Sequence, residues 1–330
     1  MSDYDLYAIG NALVDFECRV SEDELSTLGV DKGLMTLIDA DRRQALIDGL
    51  GTRDTHRACG GSAANTVIAL AQLGGRGFYS CRVANDETGD FYLTDLTANG
   101  VDSNLVGSAR PDGDTGTCIV LVTPDTERSM STFLGATADI DRGAIDADAL
   151  TRSRFLYVEG YLVASPTGRA AAIEAHRIAR DAGVPTALTL SDVNMVAGFR
   201  DGLLAMAAPR IELLFGNRDE ALLMTETDTI AAAGEALRRD LADTVVITDG
   251  ANGCTVFTAE GRVPVDATRV TAVDSNGAGD MFAGAYLFAL SQGAPHRDAA
   301  ALACRAASRV VAHFGPRLPA EVTRAIRDEA

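Results

Sequence analysis

A chain of 330 residues, 47% of them hydrophobic, can bury a large core, and its length suits one big α/β domain with a smaller appendage. A formal charge of −18 argues against a broad nucleic-acid or anionic-membrane surface, while leaving room for a local basic pocket. No apolar run is long enough to span a bilayer, the opening Met1 to Asp5 lacks the basic flank and apolar core of a secretory signal, and six scattered cysteines suggest neither a zinc site nor a disulfide framework, so the cytoplasm is the default location.

In chain order, strand-forming runs are expected at Leu6 to Ile9, Gly77 to Cys81, Phe155 to Val158, Thr186 to Leu190, Ile211 to Phe215 and Thr244 to Thr248. They alternate with helical periodicity at Asp41 to Leu50, Ser62 to Leu73, Thr88 to Asn99, Pro166 to Ala182, Thr229 to Leu241, Asp280 to Gln292 and Pro295 to His313. That alternation predicts a three-layer α/β/α sandwich around a mostly parallel sheet. Leu13 to Leu37 and Asp114 to Leu134 break the pattern, being rich in strand formers and turn residues without a long helix between, and are expected to meet as a small β-sheet lid. The division expected is a core of residues 1–10, 41–99 and 138–330 and a lid of residues 11–40 and 100–137. Lys32 is the one lysine, which fits either salt adaptation or genomic composition.

The most informative stretch is Asp274-Ser275-Asn276-Gly277-Ala278-Gly279-Asp280, followed at once by Met281, Phe282, Ala283, Ala285, Leu287, Phe288 and Leu290 at helical spacing. Asp280 then belongs in the first helical turn, with Gly277, Ala278 and Gly279 at the entrance. Unpaired backbone NH groups and the positive end of the helix dipole suit phosphate charge there, and a carboxylate beside them can accept a proton from an attacking hydroxyl. The chemistry implied is phosphoryl transfer to an alcohol.

Other segments carry weaker signals. Gly60-Gly61-Ser62-Ala63-Ala64-Asn65 makes a second glycine-led entrance, where Ser62 can cap and Asn65 can reach a ligand, or the glycines simply form a turn. Asn11 and Asp15, just past the first strand, read equally as hydroxyl-binding groups or turn residues. Asn217-Arg218-Asp219-Glu220 is either a plain capping sequence or an organiser of metal-bound water, and Asp249-Gly250 either a nucleotide edge or a turn. Arg128 is a solvated surface residue or a lid arginine. The four histidines have no ligand spacing, no glycine loop ends in Lys-Ser or Lys-Thr, and no Gly-x-Gly-x-x-Gly follows the first strand.

Taken together and in order, Gly60-Gly61 with Asn65 and the Asp274 to Asp280 signature resemble the ribokinase/phosphofructokinase-B family of carbohydrate and nucleoside kinases over essentially the full length. Gly10 to Asp15, Leu214 to Asn217, Thr189 to Ser191, Gly160 to Leu162 and Asn276 resemble its adenosine-kinase branch, although the chain lacks the fuller aromatic pattern of animal members around Tyr161. The resemblance implies ATP as donor, with magnesium bridging its phosphates, and a nucleoside acceptor, with a sugar as the alternative. It implies Asp280 as base, Gly277, Ala278 and Gly279 as anion hole, and Arg128 as lid arginine. Asp15, Gly60, Gly61, Ser62 and Asn65 would hold the ribose, Asn11 and Asn276 would line the nucleoside site, and Cys118, Met130 and Tyr161 would contact the base. Asn217 and Glu220 would order magnesium-bound water, Asp249 and Gly250 would border the nucleotide, and a monovalent cation such as potassium could sit near Asp274. A monomer is expected over a lid-mediated dimer, and a non-catalytic nucleoside-binding regulator is disfavoured by the intact Asp280 and its glycines.

Overall fold

The computed structural model describes residues 2–53, 55–125 and 127–329. The strands among them are β1 (Leu6–Ile9), β2 (Leu13–Arg19), β3 (Met35–Leu37), β4 (His56–Gly60), β5 (Gly77–Ser80), β6 (Val101–Ser103), β7 (Gly116–Val122), β8 (Arg128–Phe133), β9 (Leu156–Val158), β10 (Thr186–Thr189), β11 (Ile211–Asn217), β12 (Ala242–Thr248), β13 (Cys254–Thr258) and β14 (Gly261–Val265). They form two sheets.

The large sheet has the order β14-β13-β12-β11-β10-β9-β1-β5-β6. Every pairing from β6 to β12 is parallel, and β13 and β14 close one edge as an antiparallel hairpin. Parallel strands need crossover helices, which cover both faces, so the strands read as continuous apolar runs. In β1 the alternation divides one strand between two cores: Leu6 and Ala8 pack on one face, Tyr7 and Ile9 on the other. The first core includes the helices Ser62–Gln72, Ala278–Ser291 and His296–Val311, and the second includes Pro166–Asp181 and Val193–Met206. The two cores and the sheet between them make the expected three layers.

The small sheet has the order β3-β8-β7-β2-β4. One face is sealed by Cys18, Val20, Leu25, Leu46, Leu50, Ile119 and Leu121. On the other face, register sets Asp15 opposite Cys118, Glu17 opposite Val120, and Val120 opposite Met130. Two segments lie apart from the expected division. β4, inside residues 41–99, pairs antiparallel with β2 and so belongs to the small sheet, while β6, inside 100–137, pairs with β5 in the large one. Strand pairing is non-local, and neither His56–Gly60 nor Val101–Ser103 carries a sequence mark of its partner. Among the described residues no helix is long and apolar enough to cross a membrane.

Candidate active site

Parallel strands deliver their carboxyl ends to one edge, where this class of fold gathers its ligand groups. β1 leads into Asn11, β9 into Glu159 and Tyr161, β10 into Asp192, β11 ends on Asn217, and β12 leads into Asp249 and Gly250. The sequence candidates on the core therefore converge by topology alone.

Asp280 is the third residue of the helix Ala278–Ser291, whose cap is Gly277 in the left-handed region at φ 74°. A Cβ at Gly277 would strike the Pro316 carbonyl, so both backbone conformation and space demand glycine. No side chain caps this helix. One turn beyond Asp280, Gly284 lies against the backbone of the Ser62–Gln72 helix, where a Cβ would meet the Thr66 carbonyl oxygen at 2.5 Å. That close crossing brings two side chains of the neighbouring helix onto the acid. Ser62 donates its hydroxyl to Asp280 Oδ1 at 2.6 Å, and Asn65 Nδ2 donates to Oδ2 at 3.0 Å. Burial pushes the Asp280 carboxyl up to about 6, against these two hydrogen bonds, which pull it down. The Oδ1 of Asn65 is buried without a partner among the described residues.

Asp15 stands across from this centre on β2, its carboxylate against Gly60. Burial raises it to about 7, the nearby carboxylates of Glu17 and Asp280 add to the rise, and Arg317 and Arg128 oppose it. A cavity of about 560 Å³ opens on the Asp15 side between the lid face and residues 313–320, within the range of small-molecule pockets. Of the sequence candidates only Asp15 and Arg128 line it, so the space lies beside Asp280 rather than over it.

Arg128, the first residue of β8, ties the lid to the core. It pairs with Glu17 at 2.7 Å and Asp274 at 2.5 Å, and its guanidinium lies 4.9 Å from the centre of the Phe314 ring. Asp274 also accepts from the NH groups of Asn276 at 3.0 Å and Gly315 at 2.8 Å, so its carboxylate is compensated by protein groups. Cys118 and Met130 share the Asp15 face, buried and half-buried, with Thr132 Oγ1 donating to Cys118 Sγ at 3.4 Å. Tyr161 comes from the opposite side, in the short 3₁₀ turn Gly160–Ala164, where burial and the charges of Asp192 and Asp280 raise its phenol.

Asn217 and Glu220 form a reciprocal capping box. Glu220 accepts from Asn217 N at 2.9 Å and Nδ2 at 2.6 Å, while its own NH donates to Asn217 Oδ1 at 2.9 Å. Burial lifts Glu220 to about 7, with Asp192 and Asp219 adding repulsion that a nearby cation would relieve. Among the described residues no group of three or more histidine, cysteine or acidic side chains forms a protein cage for a metal. Gly250 opens a 3₁₀ turn in the left-handed region at φ 52°, and Asn252 Nδ2 holds Asp249 at 3.0 Å.

Glu159 has no sequence signature, yet it is among the best-held groups at this edge. It is 1% exposed and accepts from Asn11 N at 2.9 Å, Asn11 Nδ2 at 2.6 Å and Ala63 N at 2.9 Å. Those bonds join the end of β1 to the entrance of the Ser62 helix and commit the Asn11 amide group to the protein. A lone acid after a three-residue strand offers nothing to mark it, because its partners lie 148 and 96 positions away.

Residues 33–323 match the family described as pfkB family carbohydrate kinase. The fold superimposes on an adenosine kinase from Sinorhizobium meliloti with a TM-score of 0.90 and 36% identity over 100% of both chains. A "probable sugar kinase protein" from Rhizobium etli gives a TM-score of 0.89 and 33% identity over 100% of this chain and 99% of that one. An aminoimidazole riboside kinase from Salmonella typhimurium is 32% identical over 242 residues, 71% of this chain and 74% of the relative.

Proposed function

The chain belongs to the pfkB family of carbohydrate kinases, and from that premise we propose that it phosphorylates the 5'-hydroxyl of a nucleoside, with adenosine to AMP as the first choice. An ATP-dependent kinase follows from the family itself. The observation that carries the acceptor chemistry is the Asp280 carboxylate, held by Ser62 and Asn65, beside the unpartnered Asn65 Oδ1. A hydroxyl reaching Asp280 meets a base whose neighbour Asn65 still has an acceptor to satisfy. Likeness to a riboside kinase and an adenosine kinase supports the riboside reading.

In this mechanism the protein mostly positions and neutralises, because phosphoryl transfer passes through a loose transition state that needs little covalent help. Asp15 and Asn65 orient the sugar hydroxyls, Asp280 takes the proton at its carboxylate, and the uncapped turn at Gly277, Ala278 and Gly279 receives the developing phosphate charge. Glu159 acts through Asn11 and Ala63, fixing the entrance that carries Ser62. Asn217 and Glu220 fit a magnesium ion through water, since their mutual capping leaves further lone pairs beside Asp192 and Asp219; when bound with ATP the ion supplies charge neutralisation. Arg128, paired with Asp274 and Glu17, is the group that lid closure would bring to the phosphate, and its pairing with Asp274 gives that carboxylate a counter-charge without potassium. The role fits purine salvage in the cytoplasm.

A panel of nucleosides and free sugars with ATP tests the assignment. Adenosine is expected to give the highest kcat/KM. A free sugar turned over equally well or better would replace the riboside reading with a ribokinase- or fructokinase-like one, which the likeness to the Rhizobium etli protein favours. Preference for inosine, guanosine or cytidine would redraw the base pocket alone.

A further inference from the structure

A second cavity, of about 390 Å³, lies outside the site described above, at the carboxyl ends of the adjacent parallel strands β5 and β6. Arg82, just past β5, and Arg110, on the 104–115 connection from β6 into lid strand β7, both line it. Arg82 is half-buried and forms no hydrogen bond or ion pair among the described residues, and its Nε is closed off from solvent. Arg110 pairs with Asp90 and donates from Nη2 to Asn85 Oδ1 at 3.3 Å, while its Nη1 is buried with no partner among the described residues. Two arginines thus meet at one cavity, Arg82 with no group among the described residues to offset its charge, and an oxyanion is the group that guanidinium donors match best.

The lining also carries groups of different chemistry. Asp141 and Asp146 line the cavity, each committing one oxygen to its own turn, Asp141 Oδ1 to Gly143 N at 2.8 Å and Asp146 Oδ1 to Ala149 N at 2.9 Å. Their remaining lone pairs suit hydroxyl donors. Asn104, which also lines the cavity, bonds both the NH and the carbonyl of Cys81, at 3.1 and 3.0 Å, and so joins the ends of β5 and β6. We propose that this cavity is a binding site for a small phosphate monoester, with the phosphate on Arg82 and Arg110 and hydroxyls on Asp141 and Asp146. Because Arg82 belongs to the core and Arg110 to the connection entering the lid, an occupant would clamp that connection. The proposal stands apart from the identity of the acceptor.

Thermal unfolding at constant ionic strength tests it, with inorganic phosphate and, separately, ribose 5-phosphate as probes and free ribose as control. The wild-type protein is expected to show a saturable rise in Tm, and Arg82→Gln to lose it or to weaken the affinity at least about tenfold, as the loss of charge-assisted bonds requires. Phosphate binding at the ATP site is common to both proteins and cancels in the difference. Without ligand, Arg82→Gln should be as stable as wild type or more so, since it removes an unpartnered guanidinium. A larger effect of ribose 5-phosphate than of phosphate identifies a sugar phosphate, and equal effects identify the free ion. No saturable rise in wild type, an equal rise in Arg82→Gln, or a marked loss of stability in the unliganded variant would overturn the proposal.

Discussion

The helix entrances at Asn217 and Gly277 are built alike and end in opposite states. Each sets an acid three residues beyond its cap, Glu220 in one and Asp280 in the other. At Asn217 the cap has a side chain, the acid turns back to it, and the entrance satisfies itself through a reciprocal box. At Gly277 the cap has none, so the acid turns instead to Ser62 and Asn65 on the neighbouring helix, and the first turn keeps its NH groups free of any capping side chain. A closed entrance stabilises a helix; an open one can bind an anion. Whether the cap residue has a side chain decides between them.

The strongest way to break this contrast is at the open entrance. Asp280→Asn should retain acceptor binding while kcat falls by about 10²–10⁴, the usual range for removing a positioned base, as steady-state kinetics and calorimetric binding would show. The same variant should be no less stable than wild type at neutral pH, because burial disfavours the charged carboxylate; a carboxyl raised to about 6 in the fold costs stability above that pH. Turnover close to wild type would remove Asp280 from its role. Gly277→Ala comes next: left-handed backbone and the collision with Pro316 should cost about 1–3 kcal/mol in denaturant titration and lower kcat about a hundredfold. At the closed entrance the loss should fall on the fold as well as on the magnesium-bound water that Asn217 helps to order. Asn217→Ala is expected to destabilise by about 1–2 kcal/mol, through the lost cap, with an effect on kcat well below that of Gly277→Ala.

The same contrast explains what could be read from the sequence. Small residues before an acid and an apolar helical run are local, so Gly277 to Asp280 and Gly60 to Asn65 announce their helix entrances directly. Whether an acid turns back or across is a tertiary matter, so Asn217-Arg218-Asp219-Glu220 fits both readings and only the folded structure shows the box. Glu159 and the Arg128 pairing with Asp274 depend on contacts between distant segments, which no local pattern encodes. β4 went to the lid for the same reason. The helix Val193–Met206 has no continuous periodicity in the sequence, because Phe199, at φ −136° and ψ 27°, kinks it.

The most direct test of the central claim, that Asp280 is a base tuned by the helix beside it, is the acid limb of the kcat/KM profile in wild type and in Ser62→Ala. The rate should fall as pH drops through about 6, where the Asp280 carboxyl protonates. Ser62 donates to the ionised form and holds the carboxyl down, so its removal should move that limb to higher pH while leaving a rate plateau above it. Coincident limbs in the two proteins would contradict the account.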